Sequence, residues 1–236
     1  MKITILTLFP EMFIGPFDHS IIKNAKQKCL IEIDFINIRD FGKGRHKVVD
    51  DTEYGGGIGM VIKVDVLHQA IQSARCKRMQ DAKECKEKVV LLSATGKTYN
   101  QQIARSFSEL DHLILLCGHY EGVDERTKNY IDQEISIGDF ILTGGEIPSM
   151  LLVDSITRLI KGVLPEGAVE DESFSEIENQ TILEYPHYTN PRDYNGYIVP
   201  EVLLSGNHQK INDWRKNQAI EKTKKIRPDL LKKRHS

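Results

Sequence analysis

Ala94-Thr95-Gly96-Lys97-Thr98 ends in G-K-T, which invites a phosphate-binding reading. A P-loop wraps phosphate in backbone N–H groups, and the earlier glycine that this needs would fall at Leu91, so the spacing argues against it. Gly55-Gly56-Gly57-Ile58-Gly59-Met60 fails the dinucleotide fingerprint because Met60 occupies its last glycine position. No G-x-S-x-G elbow supports a serine hydrolase. Three other segments each follow a β-rich run: Leu91 to Ala94, Cys117 to Gly122 and Ser136 to Glu146. Open α/β sheets bind ligands beyond the C-terminal ends of their strands. Glycine lets backbone approach a ligand closely, and the intervening apolar residues suit an adenine-sized aromatic group. Each segment alone reads better as a tight turn; together they mark a candidate pocket more specifically than any one does.

These segments must be held by a packed fold. The chain has 236 residues, 40% hydrophobic and 28% charged, which fits one large or two modest globular domains. Its longest apolar run, Leu113 to Cys117, is far short of the ~20 residues of a membrane span. The apolar start after Lys2 is cut by Pro10 and Glu11 before a signal sequence forms, so a cytoplasmic location is expected. Cys29, Cys76, Cys85 and Cys117 contain no C-x-x-C pair and read as reduced thiols, and the scattered histidines predict no metal site. The net charge of −2 hides a contrast. Val163 to Tyr185 holds seven carboxylates and no Lys or Arg, whereas Asn207 to Ser236 holds ten Lys/Arg against three acidic residues. The basic end suits a polyanion or a solvated helix face.

Strands are expected at Lys2 to Phe9, Leu30 to Ile38, Lys88 to Ser93, His112 to Cys117 and Gln133 to Ile137. Helices are expected at Ser20 to Lys28, Asp65 to Arg75, Asn100 to Leu110, Asp124 to Tyr130 and Ile147 to Lys161. This alternation predicts an α/β domain with a largely parallel sheet. Arg39 to Gly59, with six glycines, reads as a long functional loop. At least the first half of the acidic stretch reads as a linker, and Ile211 to Lys225 and Pro228 to Lys233 as basic helices. The expected division is residues 1–162, a linker at 163–174 and a small helical domain at 175–236.

Four motifs carry a family resemblance: D-D-T-E-Y-G-G-G-I-G-M (Asp50 to Met60), G-H-Y-E-G-V-D-E-R (Gly118 to Arg126), S-I-G-D-F-I-L-T-G-G-E (Ser136 to Glu146) and L-L-S-G-N-H (Leu203 to His208). With L-F-P-E-M-F at Leu8 to Phe13 and P-H-Y-T at Pro186 to Thr189, the chain resembles the bacterial tRNA (guanine-N1)-methyltransferase family TrmD over nearly its whole length. The resemblance implies a SPOUT-type parallel sheet whose C-terminal part forms a deep trefoil knot, a rare topology that no periodicity reveals.

It also implies methyl transfer from S-adenosylmethionine to N1 of the guanine immediately 3′ of the tRNA anticodon. On this resemblance the cofactor is lined by Leu91, Leu92, Ser93, Gly118, Tyr120, Glu121, Gly122, Ser136, Ile137, Gly138, Phe140, Leu142, Gly144, Gly145 and Pro148. Gly144 and Gly145 are expected where a Cβ would strike the adenosine. Arg158 matches an arginine that hydrogen-bonds O6 of the base, although a helix-surface pairing with Asp154 is the plain alternative. The family's general base is an aspartate directly before Ser-Phe; here Glu172 precedes Ser173-Phe174, and Asp171 is its rival. Asp51, Tyr54, Gly55, His187, Tyr188, Ser205, Gly206, Asn207 and His208 are expected to grip tRNA. Asn190 stands where the family commonly has arginine. The resemblance further implies a homodimer with a shared site, and Mg²⁺ assistance without a strong protein-borne site. A non-catalytic RNA-binding protein and a phosphate-loop enzyme using Lys97 are the rival classes.

Overall fold

Val89 to Leu92 and Leu113 to Leu116 are apolar at every position because both faces of the strands they form are covered. The computed structural model describes residues 1–75, 85–170, 172–177 and 180–231. Asp171, Cys76, Lys232, Lys233 and Arg234 lie outside the described residues. The unit Met1–Leu164 runs β1 (Lys2–Thr7), α1 (Ser20–Gln27), β2 (Glu32–Asn37), β3 (Asp50–Asp51), β4 (Val61–Ile62), α2 (Val64–Ala74), β5 (Glu87–Thr98), α3 (Gln101–Ser108), β6 (His112–Cys117), β7 (Gln133–Ser136) and α4 (Glu146–Thr157). Its main sheet has the order β2-β1-β6-β5-β7 and every pairing is parallel.

Side chains alternate across this sheet with the period of two that strands impose. Ile3, Ile5, Val90, Leu92, Leu113 and Leu115 pack with Ile22 of α1, Phe107 of α3 and Leu152 and Ile156 of α4. Leu6, Val89, Leu91, Ile114 and Leu116 pack on the other face with Val66, Leu67, Ala70 and Ile71 of α2. Truncating one of these buried leucines to alanine removes apolar burial and leaves a cavity, a cost of roughly 2–5 kcal/mol.

The structure corrects several local expectations. The segment expected as a helix at Asp124 to Tyr130 is a 3₁₀-helix, Glu125–Tyr130, capped by Asp124, whose carboxylate accepts from Arg126 N at 2.9 Å. Helix α4 ends at Thr157 rather than Lys161; the chain tightens into i→i+3 bonds from Leu159 to Ile156 and Ile160 to Thr157, and Gly162 turns away with φ +88°. Its Leu151 is exposed, while Leu152 and Ile156 are buried. The loop Arg39 to Gly59 is not bare: Asp50–Asp51 pairs with Val61–Ile62 beyond its end as an antiparallel ribbon. β5 runs on to Thr98 instead of stopping at Ser93.

At the N-terminal ends of the strands, the buried His112 joins two neighbours. Its Nε2 lies 2.8 Å from Thr4 Oγ1 and its Nδ1 2.7 Å from Glu87 Oε2. His112→Ala leaves Thr4 and Glu87 with unmet hydrogen bonds in a desolvated place, an expected loss of about 2–3 kcal/mol. Urea unfolding of the variant should show a lower midpoint at unchanged slope.

The unit Pro165–Ser236 contains β8 (Ser175–Ile177) paired with β9 (Gln180–Ile182), β10 (Asp193–Tyr194) paired with β11 (Tyr197–Ile198), and α5 (His208–Ile226). Two ribbons thus precede the helix, and the first lies inside the acidic stretch. Thr223 of α5 is buried and its hydroxyl accepts from Leu183 N at 2.8 Å, while Lys222 donates to the Glu184 carbonyl at 2.9 Å. The side chain of Asn207 accepts from Lys210 N at 3.1 Å, so S-G-N-H forms the N-terminal cap of α5.

Candidate active site

Leu92 and Lys97 both pair with Ile135, so residues 93–96 bulge from the β5–β7 ladder. Bulges re-aim side chains beside sites. Here Thr95 Oγ1 lies 3.0 Å from Ser93 Oγ and donates to Glu134 Oε1 at 2.6 Å. A Cβ on Gly96 would lie 2.4 Å from Ile135 N, so this glycine is needed where two strands approach, not to wrap a phosphate. The phosphate-loop reading fails on that geometry.

The chain leaving β6 turns sharply: Tyr120 has φ +59°, Gly122 has φ +121°, and Gly122 N donates to the His119 carbonyl at 3.0 Å. After β7 the chain returns to this turn, where Gly145 N donates to the Gly118 carbonyl at 2.8 Å and His119 bridges Gly144. A Cβ on Gly145 would stand 2.6 Å from Cys117 Cα, and one on Gly144 would stand 2.7 Å from His119 Nδ1. At both glycines a side chain would already meet atoms of the protein itself, backbone at Gly145 and side chains at Gly144.

These three loops enclose a cavity of about 460 Å³. Every residue from Leu91 to Pro148 that the resemblance assigns to the cofactor lines it. Thr95, Glu125, Lys128 and Glu134 line it as well and fall outside the three segments marked in the sequence, whereas His119 lines it from within one of them. The only sequence signal for Glu134 is a carboxylate in the short strand before S-I-G-D. The mixed lining suits S-adenosylmethionine: Leu91, Leu92, Ile137 and Leu142 offer apolar walls, and the water-shielded His119 Nδ1 has no protein hydrogen-bond partner. Beneath the cavity the buried Glu146 accepts from Thr7 Oγ1 at 2.7 Å. Burial, with the Glu146 charge beside it, pushes the Cys117 thiol well above its ordinary range, so this cysteine is no nucleophile at neutral pH.

The other expected residues lie elsewhere. Arg158 is the C-cap of α4, about 15 Å along the helix from Pro148 at 1.5 Å per residue, and does not line the cavity. Glu172 belongs to the unit Pro165–Ser236, where its carbonyl accepts from Ser175 N at 3.1 Å. Tyr54 is fully exposed beside Gly55, and Asp51 lies 3.4 Å from Lys63. His187 pairs with Glu184 at 2.9 Å, and the rings of Tyr188 and Trp214 are 6.3 Å apart. Ser205 and Gly206 precede the Asn207 cap, and His208 opens α5.

Residues 1–233 match the family described as tRNA (Guanine-1)-methyltransferase TrmD. The chain belongs to the TrmD family. Similar TrmD relatives include the tRNA (guanine-N(1)-)-methyltransferase of Dictyoglomus turgidum, 52% identical over 99% of this chain and 91% of its own length. That of Malacoplasma penetrans is 52% identical over 98% of this chain and 97% of its own. That of Endomicrobium trichonymphae is 48% identical over 99% and 100%. Among the described residues no helix is long and apolar enough to cross a membrane.

Proposed function

We propose that this TrmD chain transfers a methyl group from S-adenosylmethionine to N1 of the guanine immediately 3′ of the tRNA anticodon, in the cytoplasm. The observation that carries this reading is the gathering of the assigned cofactor residues on one cavity, in a chain of this family. Labelled methyl followed into the nucleosides of unmodified tRNA tests it. The non-catalytic RNA-binding alternative would need no such cavity.

When bound, S-adenosylmethionine supplies the electrophilic methyl. The loops 91–94, 117–122 and 136–145 hold it and exclude water. Glu172, or Asp171 beside it, removes the N1 proton of the guanine. The guanidinium of Arg158 donates to O6, where negative charge builds as that proton leaves. For the Mg²⁺ that the resemblance implies, the described residues gather no group of three or more His, Cys, Asp or Glu side chains.

A trefoil knot is supported by the chain's path, since it leaves β7 at the sheet edge yet by Gly145 is pressed against Cys117 at the end of β6. A homodimer is supported by two features. Arg158 is too far along α4 to reach its own chain's cavity, so in this reading it serves the partner's. Phe140, Ile141, Ile147 and Leu151 also expose an apolar group on and before α4, of the kind that interfaces cover.

Asp51, Tyr54, Gly55 and the segments around His187 and Ser205 to His208 would bind tRNA, with basic residues of α5 on phosphates. Lys222 is engaged by Glu184, so the exposed Lys210, Lys224 and Lys225 are the appropriate residues to change. Their replacement by alanine should lower the slope of log K for tRNA against log salt by roughly 2–3, the counterion release of as many phosphate contacts. S-adenosylmethionine binding should stay constant, and an unchanged slope would make this a solvated helix face.

A further inference from the structure

The lining carboxylates Glu121, Glu125 and Glu134 outnumber the single lysine, Lys128. Leaving His119 aside, three carboxylates against one ammonium give the cavity wall a formal net charge of −2. Lys128 Nζ is shared between Glu125 Oε1 at 3.0 Å and Glu134 Oε2 at 3.3 Å. Glu134 is the best fixed of the anions: its side chain is 18% exposed and the bulge in β5 presents the Thr95 hydroxyl to it. Burial pushes its carboxyl up, but hydrogen bonds from Thr95, Ser93 and Lys128 more than offset this and hold it below the usual carboxylate range. It is ionised at neutral pH.

We propose that this wall makes the cavity select the positively charged methyl donor over its neutral demethylated product, with Glu134 as the specificity-determining anion and Lys128 as its counterweight. The inference rests on the S-adenosylmethionine reading above. Transfer of the methyl from the sulfonium leaves the S–C electron pair on sulfur, giving S-adenosylhomocysteine with the same skeleton and one positive charge fewer. Contacts to adenine, ribose and the amino-acid end are common to both ligands, so discrimination falls on the sulfur substituent and its charge. Inside a partly enclosed cavity, charge is screened less than in open water, so a net-negative wall favours the cation and promotes product release.

Calorimetry on the full-length chain without tRNA tests this with three ligands: S-adenosylmethionine, S-adenosylhomocysteine, and a cationic analogue in which an amine-bearing carbon replaces the sulfonium. Glu134→Gln keeps the acceptor for Thr95 and removes the charge, so the affinity ratio of donor to product should fall about 3–10-fold, the scale of one charge at an intermediate dielectric. Lys128→Gln removes the counterweight, so the same ratio should rise by a similar factor. The cationic analogue should follow the donor in both variants. A purely structural role would weaken all ligands together. Unchanged ratios, or ratios moving the same way in both variants, would overturn the proposal; if one variant does not fold, the sign in the other decides. Failure of the wild-type chain to bind donor or product would instead remove the cofactor reading on which it rests.

Discussion

Mixing two inactive variants of this chain is expected to restore about a quarter of wild-type methyl transfer under two-fold symmetry. One variant is Ala94→Trp, which fills the cofactor cavity from an exposed position on β5 without enlarging the buried core. A substitution at Gly145 would not serve the same purpose, because even a methyl group there collides with Cys117 backbone and would disturb folding. The other is Asp171→Ala with Glu172→Ala, which removes both candidate bases. If the base acts across the dimer, each mixed dimer keeps one complete site: the cavity of the base-deficient chain with the carboxylate of the cavity-blocked chain. Random mixing makes roughly half the dimers mixed, each with one working site of two, hence the quarter. Recovery should track the fraction of mixed dimers. No recovery when mixed dimers demonstrably form would place base and cofactor on one chain.

Arg158→Ala is expected to lower kcat about 10²–10³-fold, the usual consequence of losing one preorganised donor to a developing negative charge. Calorimetric binding of S-adenosylmethionine should be unchanged, because Arg158 caps the far end of α4, is absent from the lining of its own chain's cavity and is assigned to O6 of the base rather than to the cofactor. Arg158→Lys should recover only part of the loss, since an ammonium restores charge but not the planar fork. Equal loss of cofactor affinity and kcat in both variants would reduce Arg158 to a residue that merely ends the helix.

The strands and the loops that line the cavity were legible because each obeys a local rule. Leu113 to Leu116 is apolar without alternation because helices cover both faces of its strand, and β6 begins and ends where expected. The loops were legible because glycines follow strand ends. The bulge at 93–96 was not, since G-K-T invites a phosphate-loop reading and only the backbone of β7 shows that Gly96 is wanted for close approach. Glu134 and Lys128 escaped notice for a related reason. They come from adjacent elements whose convergence on the bulge depends on strand order, and sequence spacing holds no record of it. Asn207 illustrates the opposite case: the resemblance gives it to tRNA, while the geometry gives it the additional role of capping α5.

The central claim is tested most directly by two transcripts of one unmodified tRNA that differ only in the nucleotide 3′ of the anticodon, guanine in one and adenine in the other. Each is incubated with the purified chain and methyl-labelled S-adenosylmethionine, then digested to nucleosides and separated. Label is expected in 1-methylguanosine from the guanine transcript and none above background from the adenine transcript. Label in another nucleoside, equal label in both transcripts, or no transfer by a chain that binds cofactor and tRNA would contradict the claim.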